Sequence, residues 1–309
     1  MMGRQRAKPS KRKHSQLNFI LTAIAIVAFM LYYVATEWDS PAQPAQTSPA
    51  LSGQTLEIHF IDAGQGDSIL IKTPGSSLLI DAGTKEYGPT VYDYLKEQKV
   101  NSLDYIINTH PHADHVGGMA HVISSIGSVG KVIMPGLSDS MIPTTRAYET
   151  FLDAVEERNA TLIMAVPGKS YDLGGGALLT ILGPTEQYDD MNDNSVVCRL
   201  DFGNFSCLLT GDSELRAERD ILDAGGNVEA DVLKLGHHGS STSTDGDWLS
   251  EVNPELAVVS CGLDNSYGHP HREVTAALEQ AGVAIYRTDL QGSIVVTTNG
   301  QEFSVATQR

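Results

Sequence analysis

The sequence predicts an α/β protein in which helices cover two β-sheets, an arrangement known as an αββα sandwich. Three observations predict this fold class. From Leu56 onward, short β-rich runs alternate with helical patterns along the chain. Turns that contain glycine separate these runs. The chain of 309 residues, 41% of them hydrophobic, is long enough for one large α/β domain with an appendage.

The elements are predicted in order from the pattern of their apolar residues. The first three strands are LEIHFI, SILIKT and SLLID, which are short and separated by glycine turns. A helix through TVYDYLKEQK leads to the strand DYIINT, and the alternation then continues. The other predicted strands are KVIMP, TLIMAV, ALLTIL, both arms of SVVCRLDFGNFSCLLT, DVLKL, ELAVVS, AIYRT and SIVVTT, and the other helices are TTRAYETFLDAVEERN, SELRAERDIL and REVTAALEQAG.

The predicted hairpin SVVCRLDFGNFSCLLT carries two of the three cysteines, Cys198 and Cys207. Counting outward from a turn at Gly203 and Asn204 places Leu200 opposite Cys207, so the two cysteines are diagonal to each other. A disulfide needs closely opposed side chains. We therefore expect buried thiols rather than a bridge.

The N-terminal region differs from the rest of the chain. Residues 1–16 carry six basic residues and no acid, and residues 17–34 form an uncharged apolar run. Because about 17 to 25 apolar residues cross a bilayer as a helix, we expect a transmembrane signal anchor here, with a cytoplasmic basic tail before it. Residues 35–54 are then a disordered linker, and residues 55–309 an extracytoplasmic domain. The alternative is a cleaved secretory signal, whose apolar core spans only about 7 to 15 residues.

The charge balance limits the choice of partners. Without the six basic residues of the tail, 15 basic residues remain against 38 acidic ones, a formal charge of −23 from residue 35 onward. Such a body repels polyanions unless local cations reverse the field. The composition therefore argues against a protein that coats nucleic acid.

The stretch IINTHPHADHVGGM, which follows a predicted strand, is the densest group of polar ligands in the sequence. Its candidate ligands are His110, His112, Asp114 and His115. Imidazole and carboxylate groups at a strand end are typical of zinc, manganese or iron sites, and their number suggests two ions. The alternative, ordinary surface histidines, does not explain this density.

Further candidate ligands follow other predicted strands. Asp212 in LLTGDSE lies between a strand and a helix, where it could bridge two ions or only cap the helix. In LKLGHHGSS, one of His237 and His238 could bind a metal while the other points elsewhere. Asp81, at the end of SLLID, is expected to support a ligating histidine.

Taken in order, Asp81, HPHADH, TGD and HHGS resemble the metallo-β-lactamase superfamily, an αββα fold that binds one or two metal ions. The phrases FIDAGQGDSILI, LLTGDSE, DVLKLGHHGSSTS and NSYGHPH are similar to the hydrolase-like domain of the ComEC family of competence proteins, which take up DNA. This resemblance covers nearly all of residues 55–300. It implies one or two Zn or Mn ions held by His110, His112, Asp114, His115, Asp212 and His237.

The chain departs from the superfamily pattern at one place. Where the superfamily has another histidine before the hairpin, this sequence reads DDMNDNSVV. Asp193 or Asn194 could supply an oxygen ligand there, which would favour manganese, or the loop could simply make a turn. Near the expected site, His269 in YGHPH either protonates a leaving group or has a structural role.

From these features we expect a membrane-anchored, metal-dependent hydrolase. Asp114 would hold the attacking hydroxide, and the resemblance to a DNA-uptake domain favours a phosphodiesterase or nuclease with DNA as its substrate. A second hypothesis is the hydrolysis of a small ester, lactone or β-lactam, which the acidic composition favours. A third is a tethered binding module without activity, which a partly filled metal site would allow.

Overall fold

The computed structural model describes residues 53–309. The predicted basic tail, the predicted membrane anchor and nearly all of the predicted linker therefore lie outside the described residues. Among the helices in residues 53–309, none is both long enough and apolar enough to span a bilayer.

The described residues form fifteen strands and eight α-helices. The strands are β1 (Leu56–Phe60), β2 (Ile69–Lys72), β3 (Ser77–Ile80), β4 (Ser102–Ile107), β5 (Ser128–Met134), β6 (Thr161–Met164), β7 (Ser170–Asp172), β8 (Ala177–Gly183), β9 (Val197–Phe202), β10 (Phe205–Leu209), β11 (Val232–Lys234), β12 (Leu256–Val259), β13 (Ala284–Arg287), β14 (Ile294–Thr298) and β15 (Phe303–Thr307). The helices are α1 (Gly88–Glu97), α2 (Ala113–Val116), α3 (Met119–Ser125), α4 (Arg146–Glu157), α5 (Leu215–Asp223), α6 (Gly246–Val252), α7 (Arg272–Ala281) and α8 (Thr288–Gln291).

The strands belong to two mixed sheets. One sheet has the order β15-β14-β1-β2-β3-β4-β5-β6, and the other has the order β13-β12-β11-β10-β9-β8-β7. Strands β3 to β6 are parallel to one another, and so are β10 to β13. Parallel strands end at the same edge of a sheet, so the loops after β3, β4, β10, β11 and β12 can meet.

Three apolar clusters hold the layers together. The central cluster lies between the sheets and includes Phe60 and Ile71 from one sheet and Leu200 and Phe202 from the other. A second cluster packs α1, α3 and α4 on the first sheet, and a third packs α5, α6 and α7 on the second sheet. Helix, sheet, sheet and helix layers thus follow in order, which confirms the predicted α/β sandwich.

The predicted hairpin is formed by β9 and β10. Leu200 pairs with Cys207, the register that counting from the turn predicts. The three cysteines are buried and free, as expected. Sequence patterns missed the strands β7 and β15 and the helix α6, which have three, five and seven residues.

Candidate metal centre

The histidine-rich loop leaves β4 and forms the single turn α2. His110 and His115 are fully buried, whereas His112 is exposed and lies with its Nδ1 2.9 Å from Nε2 of His110. Gly118, which follows this turn, cannot carry a side chain in this path, because a Cβ there would lie 2.1 Å from the carbonyl oxygen of Ala82. The loop is therefore pressed against the end of β3.

Asp212 lies at the centre of the site. It follows β10, and its Oδ2 is 3.2 Å from Nε2 of His115, 3.4 Å from Nε2 of His238 and 3.9 Å from Nε2 of both His110 and His237. The N-cap of the next helix, α5, is Glu214, so Asp212 is not a helix cap. One buried carboxylate thus faces four imidazole nitrogens.

Both histidines of the HHGS motif have a left-handed backbone. The φ angles are 44° at His237 and 55° at His238, a conformation that non-glycine residues rarely adopt and that clusters at functional sites. The turn directs Nε2 of each side chain toward Asp212. The sequence-based expectation that only one of the pair points at the site is therefore too simple.

Hydrogen bonds orient three of these histidines. Nδ1 of His115 donates to Asp81 at 2.8 Å, Nδ1 of His238 donates to the Ser260 carbonyl at 2.8 Å, and Nδ1 of His237 lies 2.8 Å from Oε1 of Glu214. A hydrogen bond at Nδ1 leaves Nε2 available as a ligand, as in many metal sites. Asp81 itself also accepts bonds from Thr109 and Asn108.

The site has a strongly negative potential. Burial alone would disfavour charge, but Asp212 and Asp81 outweigh it and hold the pKa of His115 well above its usual value. Burial also opposes charge at His238, where Asp212 and Asp114 raise the pKa well above normal. At Asp212, burial would raise the pKa of the carboxyl group, but the positive charges on His115 and His238 outweigh burial and lower this pKa. A metal cation can replace such protons.

The residues present fit a metal ion. Asp114, His115, Asp212 and His238 each offer one ligand atom, and these atoms lie within 4.8 Å of one another. Oδ1 of Asp212 and Nε2 of His115 and His238 are buried and have no hydrogen-bond partner. Buried polar atoms without partners are costly unless something binds them. The mixture of imidazole and carboxylate suits a divalent transition metal.

The loop before the hairpin does not supply the missing ligand through the predicted residues. Asp193 accepts bonds from the backbone N–H groups of Glu214 and Ala217, and the amide of Asn194 bonds to the backbone of Tyr188 and Asp190. This corresponds to the alternative that the loop makes a turn.

Ser195, which sequence analysis did not select, reaches the site from this loop. Its Oγ lies 3.3 Å from Nδ1 of His110 and accepts a hydrogen bond from the Asp212 backbone at 3.1 Å. It therefore connects the two loops that carry these candidate ligands. No sequence pattern distinguishes this serine from the other small residues of the loop.

His269 lies beside the group and is largely buried. Its ring stacks on that of His238 at a centroid distance of 6.0 Å, and Nδ1 is 3.4 Å from Nε2 of Gln65. Burial, together with positive charge on His238 and His237, lowers the pKa of His269 to about 4. The ring is therefore neutral at pH 7, so it can donate a hydrogen bond but is poorly suited to deliver a proton.

Sequence analysis also missed a buried ion pair. Nζ of Lys234, at the end of β11, lies 2.7 Å from Oδ2 of Asp67, and both residues are buried. Oδ1 of Asp67 lies 3.5 Å from Nδ1 of His238. The signal available in the sequence was the single lysine in the otherwise apolar run VLKL.

Comparisons with known proteins identify the family and agree with the fold. The model of the Metallo-beta-lactamase superfamily matches residues 61–263. Among solved structures, Igni18, a metallo hydrolase from the archaeon Ignicoccus hospitalis, is similar with a TM-score of 0.52 at 17% identity. That match covers 78% of this chain and 98% of Igni18, and at this identity it supports the fold alone.

Curated relatives are longer proteins. Competence protein ComA of Neisseria gonorrhoeae is 34% identical over 236 residues, which is 75% of this chain and 31% of the relative. ComE operon protein 3 of Bacillus subtilis is 28% identical over 80% of this chain and 33% of its own length. Recombination protein 2 of Haemophilus influenzae is 30% identical over 80% of this chain and 29% of its own length. The chain thus spans about a third of these relatives, and it belongs to the metallo-β-lactamase superfamily, within which its relatives are ComEC-like competence proteins.

Proposed function

We propose that this domain is a metal-dependent phosphodiesterase that cleaves DNA outside the cytoplasmic membrane. The observation that carries the proposal is the position of Asp212, whose carboxylate faces the Nε2 atoms of four histidines. A carboxylate placed in this way can bridge two ions. The similarity to competence and recombination proteins supports nucleic acid as the substrate class.

We assign the candidate ligands to two groups. Asp114, His115 and His238 form a compact set with Asp212, in which the ligand atoms lie within 4.8 Å of one another. His110, His112 and His237 are the remaining predicted ligands, and the preference for His237 over His238 stays a prediction. The geometry favours His238 for the compact set and leaves His237, held by Glu214, for the other group. Bound Zn or Mn ions would activate a water molecule and offset charge on the attacked phosphate.

The protein's own side chains position the reaction. Asp114 is only half-buried, and its Oδ2 lies 3.4 Å from Nε2 of His238, so its carboxylate would be able to accept a hydrogen bond from an attacking water molecule. His269, neutral and at the edge of the group, can donate a hydrogen bond to a phosphate oxygen. This role replaces the predicted proton donation to the leaving group, for which a ring that is neutral at pH 7 is poorly suited.

The test measures cleavage and metal content together. We expect the wild-type protein to cleave DNA with manganese or zinc and the Asp114→Ala variant to lose this activity. Asp212→Ala should lose more bound metal in elemental analysis than His269→Ala, because Asp212 faces the Nε2 atoms of four candidate ligands. Wild-type protein that hydrolyses a small ester but no DNA would favour the second hypothesis, an esterase or lactonase.

The two adjacent histidines need a separate comparison. We expect His238→Ala and His237→Ala each to lower the amount of bound metal, because both Nε2 atoms face Asp212. If only one variant loses metal, the other histidine is not a ligand. Fewer than one ion per wild-type chain, with no hydrolysis, would support a binding module instead.

We also propose that residues 17–34 anchor the domain in the membrane. Six basic residues precede this apolar run, which favours a cytoplasmic N-terminus and an extracytoplasmic domain. Protease added to intact spheroplasts should release a fragment that begins in residues 35–54. Complete protection of the domain would contradict this topology.

A further inference from the structure

After β12, residues 262–269 form a loop that we call the 262–269 loop. This loop presents large apolar side chains to solvent beside the candidate metal centre. Leu263 and Tyr267 are each 66% exposed. An aromatic ring offers about 150 to 250 Å² of surface that folding normally buries. Exposed apolar surface at the edge of a site is typical of ligand contact.

The loop is held in place by its own polar contacts. The side chain of Asn265 accepts a bond from the His269 backbone at 2.9 Å and donates to the carbonyl groups of Gly262 and His269. Nδ1 of His271 accepts a bond from the Ser241 backbone, so its Nε2 carries the proton and donates to the Tyr267 carbonyl at 3.2 Å. Tyr267 is thus fixed at its backbone while its ring stays exposed.

The ring of Tyr267 continues a stack that starts at the metal centre. The rings of Tyr267 and His269 are 5.6 Å apart with an angle of 21° between their planes, and those of His269 and His238 are 6.0 Å apart at 29°. Nε2 of His238 lies 3.4 Å from Asp212. Three nearly parallel rings therefore lead from the reacting groups to solvent, and the outermost is the exposed tyrosine.

The charge of the loop restricts what can bind there. The sequence GLDNSYGH of the 262–269 loop contains one aspartate and no lysine or arginine. From residue 35 onward, the chain has 15 basic residues against 38 acidic ones. The loop therefore offers no positively charged side chain to a phosphate, whereas an aromatic ring can hold a base by stacking, which needs no positive charge.

We infer that Tyr267 is a stacking site for a nucleobase of a single-stranded nucleic acid whose phosphate lies at the metal centre. This inference rests on the proposed phosphodiesterase function and specifies its substrate as unpaired. Bases in a duplex are stacked on each other and do not present a free face to a side chain. Stacking on an aromatic residue contributes about 1 to 3 kcal/mol per base, enough to offset part of the charge repulsion.

The experiment compares an oligothymidylate with an abasic oligonucleotide of the same length. Both carry a cleavage-resistant phosphorothioate backbone, and binding to the metal-loaded protein is measured by fluorescence anisotropy. Tyr267→Ala should raise the Kd for the oligothymidylate about tenfold and leave the Kd for the abasic strand unchanged, because a contact of about 1.4 kcal/mol is lost only where a base is present.

Two matched variants serve as controls. Tyr267→Phe keeps the ring and should bind like the wild type. Leu290→Ala changes another exposed apolar residue, 57% exposed, and should not alter the Kd for either strand. The metal content of Tyr267→Ala should equal that of the wild type, since Tyr267 touches no candidate ligand except through His269.

Two outcomes overturn the inference. A Tyr267→Ala variant that binds both strands as the wild type does excludes stacking, and so does one that weakens both strands equally. Cleavage of unmodified DNA is measured in parallel to test the proposed function separately. A wild-type protein that binds the base-bearing strand through Tyr267 but cleaves no DNA would refute the nuclease function and leave the stacking site intact.

Discussion

Asp81 is the residue that couples backbone strain to metal chemistry. Its φ angle of 55° is unusual for a residue other than glycine, and it places the carboxylate where Nδ1 of His115 donates to it at 2.8 Å. The same carboxylate accepts bonds from Thr109 and Asn108. One strained residue therefore fixes both the ring orientation of a candidate ligand and the start of the histidine-rich loop.

We expect Asp81→Asn to lower the affinity for manganese or zinc by about 10- to 100-fold, because the amide cannot hold His115 as the carboxylate does. Asparagine tolerates the left-handed backbone, so folding should be preserved. Isothermal titration calorimetry measures the affinity. Asp231→Asn is the matched control, since Asp231 also accepts backbone and hydroxyl bonds but only from Ser206. Equal losses in both variants would contradict a specific role for Asp81.

Glu218 has a pH-dependent effect on stability that does not involve the metal centre. Its carboxyl group is buried on α5 and contacts the Thr244 backbone N–H at 2.9 Å. Burial, and then the acids Asp245, Asp193 and Glu214, raise its pKa well above 4.5. The folded protein thus keeps a proton that the unfolded chain releases, so stability falls as the pH rises from 4.5 through the folded pKa.

We expect Glu218→Gln to remove this loss, because glutamine stays neutral and still accepts the Thr244 bond. The gain in unfolding free energy at pH 8 should be about 1.4 kcal/mol for each unit by which the pKa is raised, and it should vanish below pH 4.5. Urea unfolding at several pH values measures it. Glu279→Gln, at an exposed position of α7, is the control, and an identical pH profile for the two variants would rule out the effect.

At the level of elements, the ion pair between Lys234 and Asp67 joins the two sheets. Lys234 ends β11 in the second sheet, and Asp67 lies in the loop between β1 and β2 of the first sheet. The same loop contacts the histidine-rich loop, since a Cβ at Gly66 would lie 2.2 Å from the carbonyl oxygen of Asp114. The pair therefore fixes the edge of the sandwich where the ligands meet.

We expect Lys234→Met to lower the unfolding free energy by about 3 to 5 kcal/mol, because it removes the cation that lies 2.7 Å from the buried Asp67 carboxylate. The double variant Lys234→Met, Asp67→Asn should recover a large part of this loss. Chemical denaturation measures both values. Lys96→Met removes an exposed pair with Asp93 and should change stability by less than about 1 kcal/mol. A double variant no more stable than Lys234→Met would show that the packing of the lysine, rather than its charge, matters.

At the level of the whole molecule, the acidic composition leads to an expectation of how the proposed DNA cleavage depends on salt. The formal charge from residue 35 onward is −23, because 15 basic residues stand against 38 acidic ones. DNA-binding proteins usually weaken as salt rises, because lysine and arginine release counterions from phosphates. This chain has few such residues, and added salt also screens its repulsion of DNA at separations beyond the Debye length, which is about 10 Å at 0.1 M salt.

We therefore expect the cleavage rate of single-stranded DNA with manganese to stay flat or rise as monovalent salt is increased. A small uncharged ester or a single phosphodiester should show no such rise, and it serves as the control substrate. Initial rates at several salt concentrations test this. A steep fall in DNA cleavage with salt would indicate a basic binding surface that the composition does not predict.

The sequence was sufficient where the information is local. The αββα layers follow from the period of apolar residues, the register of Leu200 with Cys207 follows from a two-residue turn, and the candidate ligands from His110 to His115 lie in one hexapeptide. Asp212 was recognisable because it follows a strand. Each of these signals spans fewer residues than one supersecondary unit.

Contacts between distant segments required the folded chain. The left-handed turn at His237 and His238, which aims both rings at Asp212, is not encoded in residue type, because histidine rarely adopts it without surrounding support. The turn role of Asp193 and Asn194 and the reach of Ser195 depend on the backbone of α5 and on His110. The stack from Tyr267 to His238 and the pair of Lys234 with Asp67 join loops far apart in sequence, and only packing of the two sheets brings such loops to one edge.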